Sequence, residues 1–211
     1  MKTTILISRW TAHVCGTAVL ALALSLSAQS MVRYDATAPG GGSKLKVDGT
    51  STIHDWTIET SLVGGYMELD PEFDKDLKTP KSTPKVQITL QVRSLKSGKS
   101  AMDNVTYDAM KQTDHPKIEY RLLDLSPKAG GSFEAKGALT VSGTTITNTM
   151  PVAFERLDES RIKVTGSTSL KMTSFGIKPP APALALGMIK TGDDVKVSFE
   201  WVAAKKTEPA K

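Results

Sequence analysis

Two histidine–carboxylate neighbours are the residues in this sequence best suited to chemistry. His54 is followed by Asp55, and His115 is preceded by Asp114. An imidazole titrates near neutral pH and a carboxylate can orient it, so such pairs serve in acid–base catalysis and metal binding. A zinc site formed by His54, His115 and a carboxylate is one interpretation, and structural hydrogen bonding near turns is the other.

Other patterns argue against catalysis. Adjacent strand residues point to opposite faces, so His54 and Asp55 would not hold one ion together if a strand runs through them. The sequence has no Gly-x-Ser-x-Gly motif and no glycine-rich phosphate loop followed by Lys-Ser/Thr. Its only cysteine, Cys15, lies near the N-terminus. We therefore predict no enzyme, no catalytic residue and no metal site.

The N-terminus predicts a secretory signal peptide over residues 1–30. Lys2 and Arg9 precede a short apolar run at 18–26, and Ala28-Gln29-Ser30 offers small residues for cleavage. Removing these residues deletes two basic side chains and lowers the formal charge from +5 to +3. The remaining lysines are scattered, which argues against nucleic acid binding. We expect a periplasmic or secreted protein.

The mature chain has the size of one domain. Residues 31–42 end in a Pro-Gly-Gly-Gly run and are interpreted as a flexible leader, and 204–211 as a polar tail. Residues 43–203 are left as a single domain, monomeric or homodimeric.

Apolar and polar residues alternate along most of this domain, as in Val86 to Val92 and Val195 to Trp201. Such alternation is typical of strands with one dry face, and it predicts a mainly β fold, a closed antiparallel barrel of about eight strands. The predicted strands are 44–52, 56–69, 85–93, 117–126, 132–142, 145–156, 160–171 and 194–203.

Two segments interrupt the alternation. Residues 100–112 have apolar side chains at helical spacing, with Ser100 and Asp103 as a capping pair, and predict a short helix that ends before His115. Residues 175–192 contain the Pro179-Pro180 pair and an apolar stretch with Leu186, and predict a long loop near one barrel opening. Each segment either covers a ligand or simply completes the core.

Several stretches resemble the YceI-like family of secreted bacterial proteins, in the family's order and spacing. They are Gly49-Thr50-Ser51-Thr52-Ile53-His54-Asp55-Trp56, Met102-Asp103 through Tyr107, Met110-Lys111, His115-Pro116-Lys117-Ile118, Gly166-Ser167 and Leu170 through Pro180. The resemblance implies a lipocalin-like barrel with a helix, whose hydrophobic cavity binds or carries a polyisoprenoid or other amphiphilic lipid. The positions that match are His54, Trp56, Asp103, Tyr107, His115, Phe175, Lys178 and Lys190.

The ligand prediction therefore combines the resemblance with the strand pattern. Ile88, Leu90 and Phe154 lie on dry strand faces and should line the interior, and Leu186 should gate it. The expected partner is an amphiphilic lipid, a polyisoprenoid or an isoprenoid quinone, with no other cofactor and with transient membrane contact. The alternatives are a histidine- or metal-dependent enzyme, and a structural or interaction module whose barrel is filled.

Overall fold

The computed structural model describes residues 30–36, 41–181 and 189–206. The strands in these ranges are β1 (Val32–Ala36), β2 (Lys44–Ser51), β3 (Trp56–Thr60), β4 (Gly64–Leu69), β5 (Lys85–Gln91), β6 (Lys117–Pro127), β7 (Phe133–Val141), β8 (Thr144–Arg156), β9 (Arg161–Lys171) and β10 (Thr191–Lys205). The α-helices are α1 (Pro71–Asp76) and α2 (Ser100–Ala109), and short 3-10 turns lie at Val92–Ser94, Ala129–Gly131 and Met172–Phe175.

Eight strands close into an antiparallel barrel, as predicted. The ring runs β1-β4-β5-β6-β7-β8-β9-β10, and β1 closes it on β10 through Tyr34↔Lys205 and Asp35↔Ala204. Strands β2 and β3 are additional: β2 pairs with the first part of β10, and β3 with β2. A single bridge, Glu59↔Lys96, joins β3 to the segment after β5.

Strand β1, which closes the ring, lies in the segment that was predicted to be a flexible leader. Within 31–42, residues Val32–Ala36 form β1, and residues 37–40 lie outside the described part. The cause is burial: Tyr34 and Ala36 point into the core, and Tyr34 is 0% exposed. At the other end β10 extends through Lys205, past the predicted start of the polar tail. The predicted signal peptide, apart from Ser30, also lies outside the described residues.

The predicted strand 56–69 is in fact two strands, β3 and β4. Between them the chain leaves β2 at Thr60 and joins β1 and β5 from Gly64 onward. Apolar and polar residues alternate on both sides of this break. Alternation shows which face of a strand is buried, but it does not show which strand lies beside it. The two strands therefore share a pattern without sharing partners.

One end of the barrel is packed solid. Phe73 on α1 contacts Phe133 and Phe154 edge to face, with ring centroids 5.6 and 5.4 Å away, in a cluster that includes Tyr34 and Met67. Helix α1, which the alternation did not predict, is capped by Asp70, whose carboxylate accepts from the backbone N–H groups of Glu72 and Phe73. We call this the filled end.

Helix α2 lies between β5 and β6 and ends before His115, as predicted. The predicted capping pair was wrong, because Lys99 is the N-cap residue and Asp103 accepts hydrogen bonds from Ser97 instead. No helix in the described ranges is long and apolar enough to cross a membrane.

Candidate functional site

A cavity of about 540 Å³ occupies the barrel opposite the filled end. Its walls are inward-facing apolar side chains of the sheet, including Leu45, Ile88, Leu139 and Val197. Its deep surface is shared with the filled-end cluster through Val63, Met150, Trp201, Tyr120 and Phe199. A cavity of this size and lining is typical of sites for small apolar molecules.

Three glycines explain why large inward side chains do not fill this space. Each is on the inner face of its strand, and a neighbouring aromatic ring occupies the space above it. An added Cβ would lie 2.1 Å from the Trp56 ring at Gly49, 2.2 Å from the Tyr120 ring at Gly137, and 2.7 Å from the Phe199 ring at Gly166. The three rings therefore pack against the barrel wall, and the space along the barrel axis stays open.

Helix α2 covers the open end of the barrel. Met102 and Val105 line the cavity from the helix and Met110 from its C-cap, so the apolar stripe faces inward as its spacing predicted. Phe175, Ile177 and Ile189 line it from the segment after β9. Residues 182–188 of the predicted apolar loop lie outside the described residues, and so does the predicted gate, Leu186.

Two α2 residues fasten the helix to the segment before it. Asp103 accepts from the Ser97 backbone N–H at 2.8 Å and from its hydroxyl at 2.6 Å. Burial pushes the pKa of Asp103 upward, but the bonds from Ser97 and the nearby Lys96 cation hold it below the usual value. One turn later, the Tyr107 hydroxyl donates to the Leu95 carbonyl at 2.8 Å.

Five of the twelve predicted ligand-binding residues line the cavity. His54, Trp56, Ile88, Leu90 and Phe175 all do so, two of them on β5 and the others around the open end. The Trp56 indole N–H donates to the Thr50 carbonyl at 3.1 Å, which holds the ring over Gly49. His54 is exposed, and its Nδ1 lies 2.8 Å from the Asp55 carbonyl.

Six other predicted residues are placed away from the cavity lining. Asp103 and Tyr107 instead fasten α2, and Phe154 packs at the filled end because the barrel is hollow at one end only. The His115 ring lies against Gly143 in the β7–β8 turn, where an added Cβ would be 2.5 Å from it. Lys178 and Lys190 have exposed side chains outside the lining.

The polar lining residues that the sequence prediction missed include Tyr120 on β6, Asn148 on β8 and Thr168 on β9. The Asn148 amide donates to the Thr168 hydroxyl at 3.2 Å. Burial raises the pKa of Tyr120 to about 12, so its phenol is neutral across the physiological range. The sequence did contain a sign of these residues, because a polar residue stands at an inward position of an alternating strand. In Ile146-Thr147-Asn148-Thr149-Met150, for example, Asn148 has the same direction as Ile146 and Met150.

The described ranges contain no group of three or more His, Cys, Asp or Glu side chains arranged to hold a metal ion. His54 is at the β2–β3 turn and His115 packs on the β7–β8 turn, so each has a structural contact. The cavity, in turn, contradicts the alternative of a completely filled barrel.

Comparison with solved structures shows the same fold in several bacterial proteins. BcnA of Burkholderia cenocepacia matches with a TM-score of 0.63 and 18% identity, covering 76% of this chain and 96% of that one. A polyisoprenoid binding domain from Saccharophagus degradans, implicated in plant cell wall breakdown, matches with a TM-score of 0.59 and 14% identity, covering 84% and 99%. The YCEI protein of Campylobacter jejuni matches with a TM-score of 0.56 and 16% identity, covering 71% and 85%.

No curated protein matches the chain. A family model, in contrast, covers most of it, because the YceI-like domain matches residues 28–203, which include β1 to β9 and all but the last two residues of β10. The chain therefore belongs to the YceI-like family.

Proposed function

We propose that this protein binds or carries an amphiphilic lipid with an isoprenoid tail, a polyisoprenoid or an isoprenoid quinone, in the periplasm or outside the cell. The observation that carries the proposal is the cavity of about 540 Å³ with its apolar walls. The polyisoprenoid binding domain with the same fold supports the ligand class, and the N-terminal residues 1–30 support the location.

The cavity can supply affinity without many polar contacts. Each methylene-sized unit removed from water contributes roughly 0.8 kcal/mol, so a long chain gains several kcal/mol on entering an apolar space. Part of this gain offsets the loss of freedom on binding. A wall already shaped by packed rings and an attached helix reduces that loss, because it does not have to reorganise.

The proposed role is binding rather than catalysis. His54 and His115 are the side chains whose sequence pattern is best suited to catalysis. Both lie at turns around the open end, and each contacts the chain beside it. Transient contact with a membrane would let a lipid enter past α2 and Ile53, an apolar side chain at the cavity that is 61% exposed.

A paired substitution on β5 tests the proposal. Ile88 lines the cavity, whereas the next residue toward the filled end, Gln87, points outward and is exposed. We expect Ile88→Trp to weaken binding of the neutral fluorescent probe N-phenyl-1-naphthylamine by about tenfold, because the added ring occupies ligand space. Gln87→Trp should leave probe binding unchanged. Native mass spectrometry of the protein purified without detergent should also show a retained lipid mass.

Two results would contradict the proposal. One is absence of probe binding to the parent protein together with absence of any lipid adduct. The other is equal probe affinity in the parent and Ile88→Trp when both are folded, since the probe would then bind outside the barrel.

A further inference from the structure

Two residues of the cavity wall, Tyr120 and Trp201, have a buried polar group that no described residue bonds, and Tyr120 is the one with a hydroxyl. The Tyr120 hydroxyl is buried and has no hydrogen-bond partner among the described residues. Tyr120 is a cavity-lining residue that also packs against the filled-end cluster, so this hydroxyl lies deep in the barrel rather than at its opening. A buried hydroxyl without a partner costs about 1 to 3 kcal/mol, so it calls for an explanation, and a partner supplied by a bound molecule is one.

Other polar side chains continue from this hydroxyl around the wall. Its ring lies above Gly137 on β7, and Gly137 is paired with Asn148 on β8. Asn148 in turn bonds to Thr168 on β9. Tyr120, Asn148 and Thr168 thus belong to one region of the wall, which we call the polar wall patch. Its surroundings are apolar, with Leu139 and Met150 as neighbours along the strands.

The patch suits a neutral oxygen better than a charged one. The phenol O–H can donate, and so can the Asn148 N–H that is not bonded to Thr168, so together they match an acceptor such as a carbonyl. The lysines among the described lining residues are Lys99 and Lys171, which are exposed, at the start of α2 and the end of β9. Lys171 is also paired with Asp194 at 2.8 Å. A phosphate at the patch would be buried away from these cations, at a high cost in free energy.

We propose that the lipid enters head first, with a neutral hydrogen-bond-accepting oxygen at the polar wall patch, bonded by the Tyr120 hydroxyl, and with its chain extending toward α2. This inference rests on the proposed function, and it adds the orientation of the ligand and the chemical class of its head. A quinone carbonyl is the group that fits best, because it is planar, uncharged and only an acceptor.

Two probes of equal chain length separate the head group from the tail. Decyl-1,4-benzoquinone and decylbenzene differ in the ring carbonyls, and their affinities can be measured by isothermal titration calorimetry. We expect the parent protein to bind the quinone about tenfold more tightly. Tyr120→Phe should remove most of that preference by weakening quinone binding alone. The ligand-free variant should melt no lower than the parent, since the substitution removes an unpaired hydroxyl.

Tyr66→Phe is the matched control. Tyr66 lies on the outer surface, with the Arg33 guanidinium 4.0 Å from its ring centroid, so its hydroxyl is remote from the cavity and both affinities should stay unchanged.

The outcomes distinguish this inference from the proposed function. If the parent and Tyr120→Phe both bind the two probes, with the same preference, the head-first orientation is overturned and lipid binding stands. If Tyr120→Phe lowers the melting temperature without changing the preference, the hydroxyl has an internal structural bond and the inference is again overturned. If the parent binds neither probe, the proposed function itself fails.

Discussion

The ring of Tyr120 occupies the space that a side chain at position 137 would need. A Cβ on Gly137 would lie 2.2 Å from Tyr120 Cζ and 2.3 Å from its hydroxyl oxygen. The same relationship joins Trp56 to Gly49 and Phe199 to Gly166. Because these aromatic side chains are held beside the wall, the cavity depends on where glycine occurs as much as on which residues are apolar.

Adding a methyl group at Gly137 should therefore close part of the cavity. In Gly137→Ala the Tyr120 ring has to move off the wall, and we expect a loss of about 1 to 3 kcal/mol in unfolding free energy from overpacking. Probe affinity should fall by about fivefold or more, because the displaced ring takes ligand space. Urea unfolding and titration with N-phenyl-1-naphthylamine measure the two effects.

Gly64→Ala provides the control for that experiment. A Cβ at Gly64 would lie 3.5 Å from the nearest atom, the Thr89 carbonyl oxygen, which is an ordinary contact. Probe affinity should not change in this variant. Unchanged stability and affinity in Gly137→Ala would show that the wall can accommodate the ring elsewhere.

The Tyr107 hydroxyl should control how fast ligand leaves. It donates to the Leu95 carbonyl at 2.8 Å and receives a bond from Lys96 at 2.7 Å, so it holds α2 over the open end. Tyr107→Phe removes both bonds, and we expect a stability loss of about 1 kcal/mol. Probe dissociation, followed by stopped-flow transfer into phosphatidylcholine vesicles, should accelerate about fivefold.

Tyr66→Phe should show neither effect. Loosening the cover should accelerate association as well as dissociation, so faster dissociation with association unchanged would instead favour direct ligand contact by Tyr107, which is the role the sequence predicted.

Asp74 should make the filled end sensitive to acid. Its carboxylate accepts from the Tyr34 hydroxyl at 2.6 Å, from Arg156 at 3.0 Å and from Lys205 at 3.3 Å. Burial raises the pKa of Asp74, but these bonds outweigh it and hold the pKa below its ordinary value. A lowered folded-state pKa stabilises the protein fully above the ordinary value of about 4, and this stabilisation is lost as pH falls through the folded-state pKa.

We therefore expect Asp74→Asn to lower the unfolding free energy at pH 7 by about 2 to 3 kcal/mol and to flatten its decline between about pH 5 and pH 2. Urea unfolding across this range measures both. As a comparison, Asp158 pairs with Arg161 at 2.7 Å on the exposed surface, so Asp158→Asn should have a much smaller effect that disappears in high salt. An equal pH slope in the parent and Asp74→Asn would assign the acid sensitivity to other carboxylates.

The two lysines that match the family's positions and were predicted to bind the ligand should have little influence on its affinity. Lys178 and Lys190 are exposed and lie outside the cavity lining, so we expect Lys178→Ala and Lys190→Ala to change the affinity for geranylgeraniol by less than about twofold. Titration with geranylgeranyl phosphate is the second arm. A tenfold loss confined to the phosphate would give these lysines the role that the sequence predicted.

The sequence predicted most of the strands because strand alternation is a local property. Each half-buried strand repeats every two residues, and β5 through β9 were placed within a few residues of their observed ends. The closing strand β1 was missed since five residues beside a glycine run carry a weak pattern, and their burial depends on pairing with β4 and β10. The paired residues are far apart in the sequence, as in Tyr34↔Lys205, so no local pattern predicts that they pair.

Part of the cavity lining was predicted from the sequence because strand alternation is local. Ile88 and Leu90 line the cavity because inward direction follows from alternation, whereas Phe154 has the correct direction but lies at the filled end. Depth along a barrel is set by strand stagger, which no local pattern records. Asp103 and Tyr107 were singled out by the resemblance, and the structure shows that their bonds go to the chain before α2.

The amino-acid sequence alone determined the dry and wet faces of the strands, the helix before β6 and the YceI-like character of the chain. The tertiary structure decided that the barrel is hollow at one end and solid at the other, and that the Tyr120 hydroxyl is buried in the wall of the hollow part with no partner among the described residues. The physical reason is that a cavity depends on which rings meet which glycines across strands. Those contacts exist only after distant segments have paired.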